Sequence, residues 1–193
     1  MTSPVPRLIV VTDRHLAESA GHRLLAVVHA AIDAGARAVL LREKDLGRIE
    51  RAALAAAIGA LLQPVDGLLL VSDDGAHTAV PATGFAGKPC HSVDDLRQAR
   101  DDGFDYATLS PVWETPSKPG YGPVLGLDGL AAACAAVPDL PIVALGGVVP
   151  GRAAACLDAG AAGVAVMGAI MTAPDPAAVV RGFLAEMGET VTT

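Results

Sequence analysis

Residues 30–45, Ala-Ala-Ile-Asp-Ala-Gly-Ala-Arg-Ala-Val-Leu-Leu-Arg-Glu-Lys-Asp, contain one complete passage from a helix to a strand. The alanine-rich helical segment ends at Ala-Gly-Ala, and glycine is the usual residue just past the end of a helix. The apolar run at 38–41 is typical of a buried parallel strand. Charged residues follow that run at once, so the stretch predicts an α/β fold in which strands end in polar loops.

The same passage recurs along the chain. Ala-Gly-Ala returns at residues 159–161, and Asp-Gly-Phe at 102–104 is a variant. Short apolar runs predict strands at residues 8–11, 38–41, 68–71, 106–109, 142–145 and 164–167. Segments with helical spacing predict helices at 19–34, 48–62, 93–102, 127–136, 152–159 and 175–186. Because no linker interrupts this alternation, residues 1–193 are interpreted as a single domain with a parallel sheet.

Residues 72–90 break the pattern, because no helix of useful length lies there. A crossover between parallel strands needs a dozen or more residues. Only four residues separate the run ending at Val71 from a strand-like segment at 76–80. Either that segment is not a parallel neighbour or a βα unit is shortened. We expect exposed strand edges in this section, and such edges favour association into a homodimer.

Composition limits the classes of partner. The 193 residues carry a formal net charge of −7, which disfavours nucleic acid and requires any anion to bind at a local site. The longest apolar run, residues 52–62, is about half of the roughly 20 residues needed to span a membrane. The N-terminus lacks the pattern of a signal peptide, and three widely spaced cysteines are typical of a reducing compartment. We therefore expect a cytoplasmic protein with neither a membrane nor a nucleic acid as partner.

Ligands of such folds bind beyond the carboxyl ends of the strands, so the residues that follow each strand are the candidates for a site. Gly146, Gly147 and Gly168 allow backbone amides to approach a phosphate group. Arg42 and Lys44 suit a second anion such as a pyrophosphate.

Two further groups of residues extend this candidate site. The hydroxyls of Thr115 and Ser117, with Lys118, lie in a long loop and could hold the same pyrophosphate, and Asp73 could hold Mg²⁺ against it.

Each of these signals also has an ordinary structural explanation. A Gly-Gly pair is commonly a tight turn, and residues 42–45 alternate in charge, as in a solvated loop of internal ion pairs. Asp73-Asp74-Gly75 is a good turn sequence, and His91 suits a hydrogen-bonded position at a strand end. The functional interpretation depends on these residues sharing one face of the fold.

Five stretches, in this order, resemble the thiamine phosphate synthase/TenI family of (β/α)₈ barrels. They are Leu-Ile-Val-Val-Thr-Asp-Arg at 8–14, Leu-Arg-Glu-Lys-Asp at 41–45, Pro-Val-Trp-Glu-Thr-Pro-Ser-Lys at 111–118, Ala-Leu-Gly-Gly-Val at 144–148 and Gly-Val-Ala-Val-Met-Gly-Ala-Ile at 163–170. The resemblance covers nearly the whole chain. It implies an α/β fold of the (β/α)₈ TIM-barrel type, with an irregular or shortened section around residues 72–90.

The resemblance also implies a reaction: the coupling of hydroxymethylpyrimidine pyrophosphate with thiazole phosphate and the release of pyrophosphate. Carried over by motif, the catalytic residues would be Arg42, Lys44 and Lys118. The substrate-binding residues would be Thr115, Ser117, Gly146, Gly147, Met167 and Gly168. Asp73 would bind Mg²⁺.

The chain departs from the family pattern where the pyrimidine and the metal would bind. Leu40 stands where the family usually has Gln, Ser72 where it has Asn, and Pro89 where it has Ser. A second metal-binding Asp is missing, because none occurs after residue 74 until Asp94. Pro111 replaces the His with which TenI-type members isomerise their thiazole substrate. A TenI-like tautomerase, or a non-catalytic protein that binds thiazole phosphate, is therefore the alternative.

Overall fold

The computed structural model describes residues 5–73, 75–115 and 124–189. Eight strands close into a barrel in chain order, and β8 completes the ring by pairing with β1. The strands are β1 (Leu8–Val11), β2 (Ala38–Leu41), β3 (Leu68–Asp73), β4 (Ala76–Val80), β5 (Ala86–Cys90), β6 (Tyr106–Leu109), β7 (Ile142–Leu145) and β8 (Gly163–Val166). The predicted (β/α)₈ TIM barrel is confirmed.

The helices surround the barrel and follow most of the predicted segments. They are α1 (Arg14–Ser19), α2 (Leu24–Asp33), α3 (Arg48–Leu62), α4 (Val93–Asp101), α5 (Gly126–Ala136), α6 (Ala153–Asp158), α7 (Gly168–Met171) and α8 (Pro176–Glu186). The single helix predicted at 19–34 is wrong, because the chain turns at Gly21 with a φ of 80° and divides the segment into α1 and α2. The short helix α7 and strand β5 lack an apolar period long enough to predict them.

Strand β4 explains the irregular section. It runs antiparallel to both β3 and β5, so the chain passes through this part of the barrel as two hairpins with no helix between the strands. The β3–β4 hairpin pairs Asp73 with Ala76 across its turn. The expected irregularity around residues 72–90 is thus confirmed. The expected exposed edges are not found, because β4 is hydrogen-bonded on both sides.

Two apolar layers hold the barrel together. One lies between the strands and the surrounding helices, and Phe183 of α8 and Leu130 of α5 are fully buried in it. The other fills the barrel itself, where Tyr106 and Phe85 stack with ring centroids 5.5 Å apart. Gly87 makes room for this stack, because a β-carbon there would lie 2.2 Å from the Tyr106 ring.

The helix ends behave as their sequences predict. Ser92 and Asp175 accept hydrogen bonds from the third amide of the helices that they precede, which satisfies one of the free N–H groups at each helix start. Among the residues that the structure describes, no helix has the length and apolar character to cross a bilayer.

Candidate functional site

The candidate residues that follow the parallel strands share one rim of the barrel. Residues 12–14, 42–45 and 146–148 come directly after β1, β2 and β7. Because these strands are parallel, their carboxyl ends open to the same side. The reversal of β4 brings the turn of the β3–β4 hairpin, beside Asp73, to this rim as well.

Arg14 forms ion pairs with both acidic residues of the β2–α3 loop, Glu43 and Asp45. Its amide and its Nη1 each donate to the carboxylate of Glu43, both at 3.0 Å, and Glu43 is buried. The same guanidinium donates to both oxygens of Asp45, at 2.7 Å from Nη1 to Oδ1. Hydrogen bonds from Arg14, then from His15, hold the pKa of the Asp45 carboxyl far below its usual range. The two acids therefore neutralise Arg14 rather than their own neighbours in the loop.

Arg42 and Lys44 remain as uncompensated positive charges. Within residues 5–73, 75–115 and 124–189, neither side chain forms an ion pair, although the loop contains equal numbers of acids and bases. The Arg42 amide donates to the hydroxyl of Thr12 at 2.9 Å, which fixes the backbone at the strand end. Arg42 is two residues beyond Leu40, whose side chain lies inside the barrel, so strand alternation directs Arg42 toward the mouth.

The Gly146-Gly147 turn is built against the loop after β6. The amides of Val112 and Trp113 donate to the carbonyls of Leu145 and Gly146 at 3.0 and 3.1 Å. Gly147 has a φ of 67°, and a β-carbon on it would lie 2.6 Å from the Trp113 β-carbon. Close packing and a left-handed backbone both require glycine here. Packing against the β6 loop thus explains the Gly-Gly pair as a tight turn, which was one of its two interpretations from the sequence.

Arg152 connects this turn to the β6 loop. Its Nη1 donates to the carbonyl of Gly147 at 2.8 Å, and its guanidinium lies 4.9 Å from the centroid of the Trp113 ring. No pattern in the sequence predicted this contact, because Arg152 follows β7 by seven residues and begins a helical segment.

The amides beside β7 and β8 are available to a ligand. The N–H groups of Gly147 and Gly168 donate to no acceptor within the described part of the chain. Gly168 follows Met167 at the start of α7, and no described atom lies within 4 Å of the position of an added β-carbon. A side chain at position 168 would therefore enter open space.

Asp73 is an exposed carboxylate at the rim that could contact a metal ion. Its Oδ1 lies 3.6 Å from Nη1 of Arg51 on α3, and its side chain is exposed. Among the described residues, no group of three or more His, Cys, Asp or Glu side chains lies close enough to hold a metal. Asp73 can therefore supply one ligand to a divalent ion, and a bound phosphate and water would have to supply most of the others.

The long loop after β6 is described at its two ends only. Thr115 is half-buried and is the last described residue before residue 124, while Ser117 and Lys118 lie outside the described residues. His91 follows β5 and occupies a hydrogen-bonded position at the strand end, as predicted. Its Nδ1 lies 2.8 Å from the carbonyl of Ser110, and its amide donates to Asp95 at 2.9 Å.

The sequence missed a polar pair inside the barrel. Nδ1 of His77 and the hydroxyl of Tyr106 lie 3.2 Å apart, and both residues are buried. Burial, together with the positive charges of Lys44 and Arg42, lowers the pKa of His77 to about 4. The period-2 alternation of residues 76–80 places His77 on the face of Ala79, but only the pairing of β4 with β3 and β5 puts that face inside the barrel.

The thiol groups contribute no reactive centre. Cys90 and Cys156 are buried and unpaired, and burial raises the pKa of each thiol to about 11. Their thiolate populations are small at neutral pH, so these cysteines are packing residues.

Fold and rim together define a class: a (β/α)₈ barrel whose carboxyl-end rim carries, among the described residues, two cations without an ion pair and two backbone amides without an acceptor, as is typical of barrels that bind phosphate groups. The family model described as Thiamine monophosphate synthase matches residues 8–85 and 75–170, two segments that overlap at β4. The chain belongs to this family.

Relatives support the same assignment. The chain is 37% identical to a putative thiamine-phosphate synthase of Geobacter sulfurreducens, over 92% of each chain. It is 35% identical to a thiamine-phosphate synthase of Roseiflexus castenholzii, over 95% of this chain and 91% of the relative. The structure of a thiamine phosphate pyrophosphorylase from Pyrococcus furiosus shares the fold, with a TM-score of 0.80, 24% identity and coverage of 96% and 97%.

Proposed function

We propose that this chain couples hydroxymethylpyrimidine pyrophosphate with thiazole phosphate, forming thiamine phosphate and releasing pyrophosphate. The observation that carries the proposal is the pairing of Glu43 and Asp45 with Arg14, which leaves Arg42 and Lys44 without an acidic partner among the residues that the structure describes. Two cations two residues apart can each bind one of the two phosphate groups of a pyrophosphate. Two relatives whose names include thiamine-phosphate synthase, at 35% and 37% identity over most of the chain, support it.

The chemistry assigned to these cations is stabilisation of a leaving group. The bond between the pyrimidine methylene carbon and the pyrophosphate oxygen breaks, and its electron pair leaves with the pyrophosphate. Arg42 and Lys44, together with Lys118, bind the negative charge that develops there. The thiazole nitrogen then donates its lone pair to the methylene carbon, which forms the new C–N bond. No proton has to be transferred in either step.

The second substrate is assigned to the other side of the rim. The free amides of Gly147 and Gly168, at the ends of neighbouring strands β7 and β8, are proposed to donate to the phosphate of the thiazole. Gly146 and Met167 set the backbone before each of these residues. Thr115 and Ser117 are proposed to contact the pyrophosphate from the β6 loop.

Mg²⁺ is proposed to act together with the pyrophosphate, with Asp73 as its protein ligand among the described residues. When bound, the ion would neutralise part of the charge on the leaving group.

A non-catalytic protein that binds thiazole phosphate is the second candidate. The observation that favours it is β4, because the antiparallel hairpins replace the helical connections between β3 and β5 while the β7–β8 rim stays regular. In this case thiazole phosphate binds and no product forms. A TenI-like tautomerase is less well supported, because Pro111 stands where that reaction needs a histidine.

One experiment separates the candidates. The protein is incubated with both substrates and Mg²⁺, and thiamine phosphate is measured against an Arg42→Met variant and a protein-free control. The synthase proposal expects product with the natural chain and at least a tenfold lower rate with the variant. Equal rates in all three samples, with thiazole phosphate binding seen by calorimetry, would establish the binder instead.

We also propose a cytoplasmic location, a single domain over residues 1–193, and a homodimer. The free cysteines agree with a reducing compartment. A dimer would use the outer face of β4, which no helix follows and where Val80 is 44% exposed, rather than a strand edge. Light scattering at several protein concentrations tests the dimer.

A further inference from the structure

A peptide group at the end of the Gly-Gly turn is held by a side chain rather than by backbone. Nη1 of Arg152 donates to the carbonyl of Gly147 at 2.8 Å, and within the described part of the chain no other group donates to that carbonyl. The preceding carbonyls, those of Leu145 and Gly146, accept from backbone amides of the β6 loop. Arg152 therefore holds the peptide group between Gly147 and Val148, which the backbone of the β6 loop does not reach.

The orientation of this peptide group decides where the Val148 amide points. In a trans peptide the N–H lies opposite the C=O. Because the carbonyl of Gly147 points to Arg152, the Val148 amide points away from that side chain. Among the described residues this amide has no acceptor, like the amide of Gly147 before it. Successive amides in a turn can form a concave group of donors that binds an anion.

Glycine at position 147 makes a fixed orientation difficult to keep without a side-chain contact. Gly147 has a φ of 67°, and glycine populates more backbone conformations than any other residue. The following peptide group can therefore rotate at low cost unless its carbonyl is held. A hydrogen bond from a charged guanidinium is stronger than one from a neutral donor, and it polarises the peptide group so that its N–H becomes a better donor. Arg152 thus both fixes and strengthens the Val148 amide.

Arg152 is itself held on two sides. Its guanidinium lies 4.9 Å from the centroid of the Trp113 ring, within the range of a cation–π contact. The backbone on either side of it is held by Glu186 at the end of α8, whose carboxylate accepts from the amides of Gly151 at 2.8 Å and Ala154 at 3.1 Å. The position of the guanidinium relative to the turn is therefore set by a ring on one side and by a helix end on the other.

We infer that Arg152 is a positioning residue for phosphate binding, which holds the peptide group after Gly147 so that the amides of Gly147 and Val148 donate to one anion. The inference rests on the proposed function, which assigns the phosphate of the thiazole to this turn. It goes beyond that function by adding Val148 as a donor. It also gives Arg152, which touches no substrate, control over the direction of that donor.

The Arg152→Met variant tests the inference, because it removes the donor and its charge while keeping an unbranched side chain. Arg152 is exposed, so the variant should unfold at about the temperature of the natural chain. Its affinity for thiazole phosphate, measured by calorimetry, should fall about tenfold. Its affinity for inorganic pyrophosphate, which Arg42 and Lys44 are proposed to bind, should stay within about twofold.

Two further variants serve as controls. Arg152→Lys can still donate to the same carbonyl, so it should recover most of the affinity for thiazole phosphate. Arg100→Met removes the same charge from the last turn of α4, where Arg100 pairs with Asp101, and should bind thiazole phosphate like the natural chain.

The fluorescence of Trp113 separates positioning from direct contact with the phosphate. Trp113 is the only tryptophan of the chain, so its emission reports on the guanidinium beside its ring. The natural chain and Arg152→Met should differ in emission by the same amount with thiazole phosphate bound as without it, because a positioning residue keeps its place. A difference that vanishes on binding would show that Arg152 leaves the ring to contact the phosphate, and the positioning role would be wrong.

Unchanged affinity of Arg152→Met for thiazole phosphate would overturn the inference, as would an equal loss in Arg100→Met or a natural chain that does not bind this compound. Binding is measured apart from turnover. A natural chain that binds thiazole phosphate through Arg152 but forms no thiamine phosphate would refute the synthase and leave the inference standing. A chain that forms thiamine phosphate while Arg152→Met binds normally would do the reverse.

Discussion

Arg14 and Glu43 form a partly buried connection between the loops after β1 and β2: the amide and the guanidinium of Arg14 each donate to one oxygen of the Glu43 carboxylate at 3.0 Å. The contact joins residues 29 positions apart and involves an acid that is only 2% exposed. It directs Glu43 away from the mouth while Arg42 and Lys44, on alternate positions, stay beside it. The charge of the mouth is thus set by a residue from a different strand.

Glu43→Gln tests this contact against simple electrostatics. Loss of the charged partner should lower the free energy of unfolding by about 1–3 kcal/mol, measured by chemical denaturation. Removal of a negative charge alone would strengthen anion binding. We expect weaker binding of inorganic pyrophosphate instead, because the loop loses the contact that orients Arg42 and Lys44. Asp33→Asn is the control, since it removes an exposed charge on α2 away from the rim. Tighter pyrophosphate binding by Glu43→Gln would contradict the positioning role.

Lys44→Met should weaken the binding of inorganic pyrophosphate by about 10- to 100-fold, the usual effect of losing one charged hydrogen bond. The dependence of affinity on salt concentration should become shallower as well. The comparison is Lys88→Met, because Lys88 pairs with Asp102 at 2.9 Å on the outside of the barrel. Equal effects of the two substitutions in calorimetry would show that only net charge matters.

Gly147 and Gly168 should respond differently to alanine. At Gly147 the new methyl would lie 2.6 Å from the Trp113 β-carbon on a left-handed backbone, so Gly147→Ala should cost about 1–3 kcal/mol of stability. At Gly168 the methyl would enter open space, so Gly168→Ala should fold normally. It should nevertheless bind thiazole phosphate about tenfold more weakly, because the methyl obstructs the approach to the amide. A Gly168→Ala variant with unchanged affinity would remove this residue from the proposed phosphate site.

His77 should make the fold sensitive to mild acid. Its pKa is about 4 in the folded chain against about 6.5 when unfolded, so between these values the unfolded state binds more protons and stability falls as pH falls. The loss between pH 7 and pH 4 is about 3 kcal/mol at most. The His77→Phe variant should not show this loss of unfolding free energy. The difference in unfolding free energy between the two proteins, measured from pH 7 to pH 4, gives the contribution of His77. His29→Phe, which removes an exposed histidine on α2, is the control.

Asp73→Asn tests the proposed metal ligand. The variant should need a higher Mg²⁺ concentration for half-maximal activity, while its affinity for inorganic pyrophosphate without the metal stays similar or rises as a negative charge leaves the rim. A titration of activity against Mg²⁺ that superimposes on that of the natural chain would exclude Asp73 as a ligand.

Much of this protein could be predicted from local patterns. The strands at residues 8–11, 38–41, 106–109 and 142–145 have the predicted bounds, because short runs of apolar residues buried on both faces differ clearly from their surroundings. Helix α3 begins and ends as predicted for a similar reason. The placement of Arg42, Asp73, Gly147 and Gly168 at one rim follows from the parallel order of the strands, which alternation with helices already implies.

Other features depended on contacts between residues far apart in the chain. The direction of β4 could not be read from residues 76–80, because five residues of alternating polarity fit an antiparallel or a parallel neighbour equally well; only pairing with both β3 and β5 selects one. The partner of Glu43 could not be predicted from the sequence either, since Arg42 and Lys44 are nearer to it along the chain than Arg14. Sequence thus determined the barrel and the positions of its rim residues, because those depend on local burial periods. Tertiary structure decided which charges face the mouth and which polar side chains lie beneath it, because hydrogen bonds between strands set both.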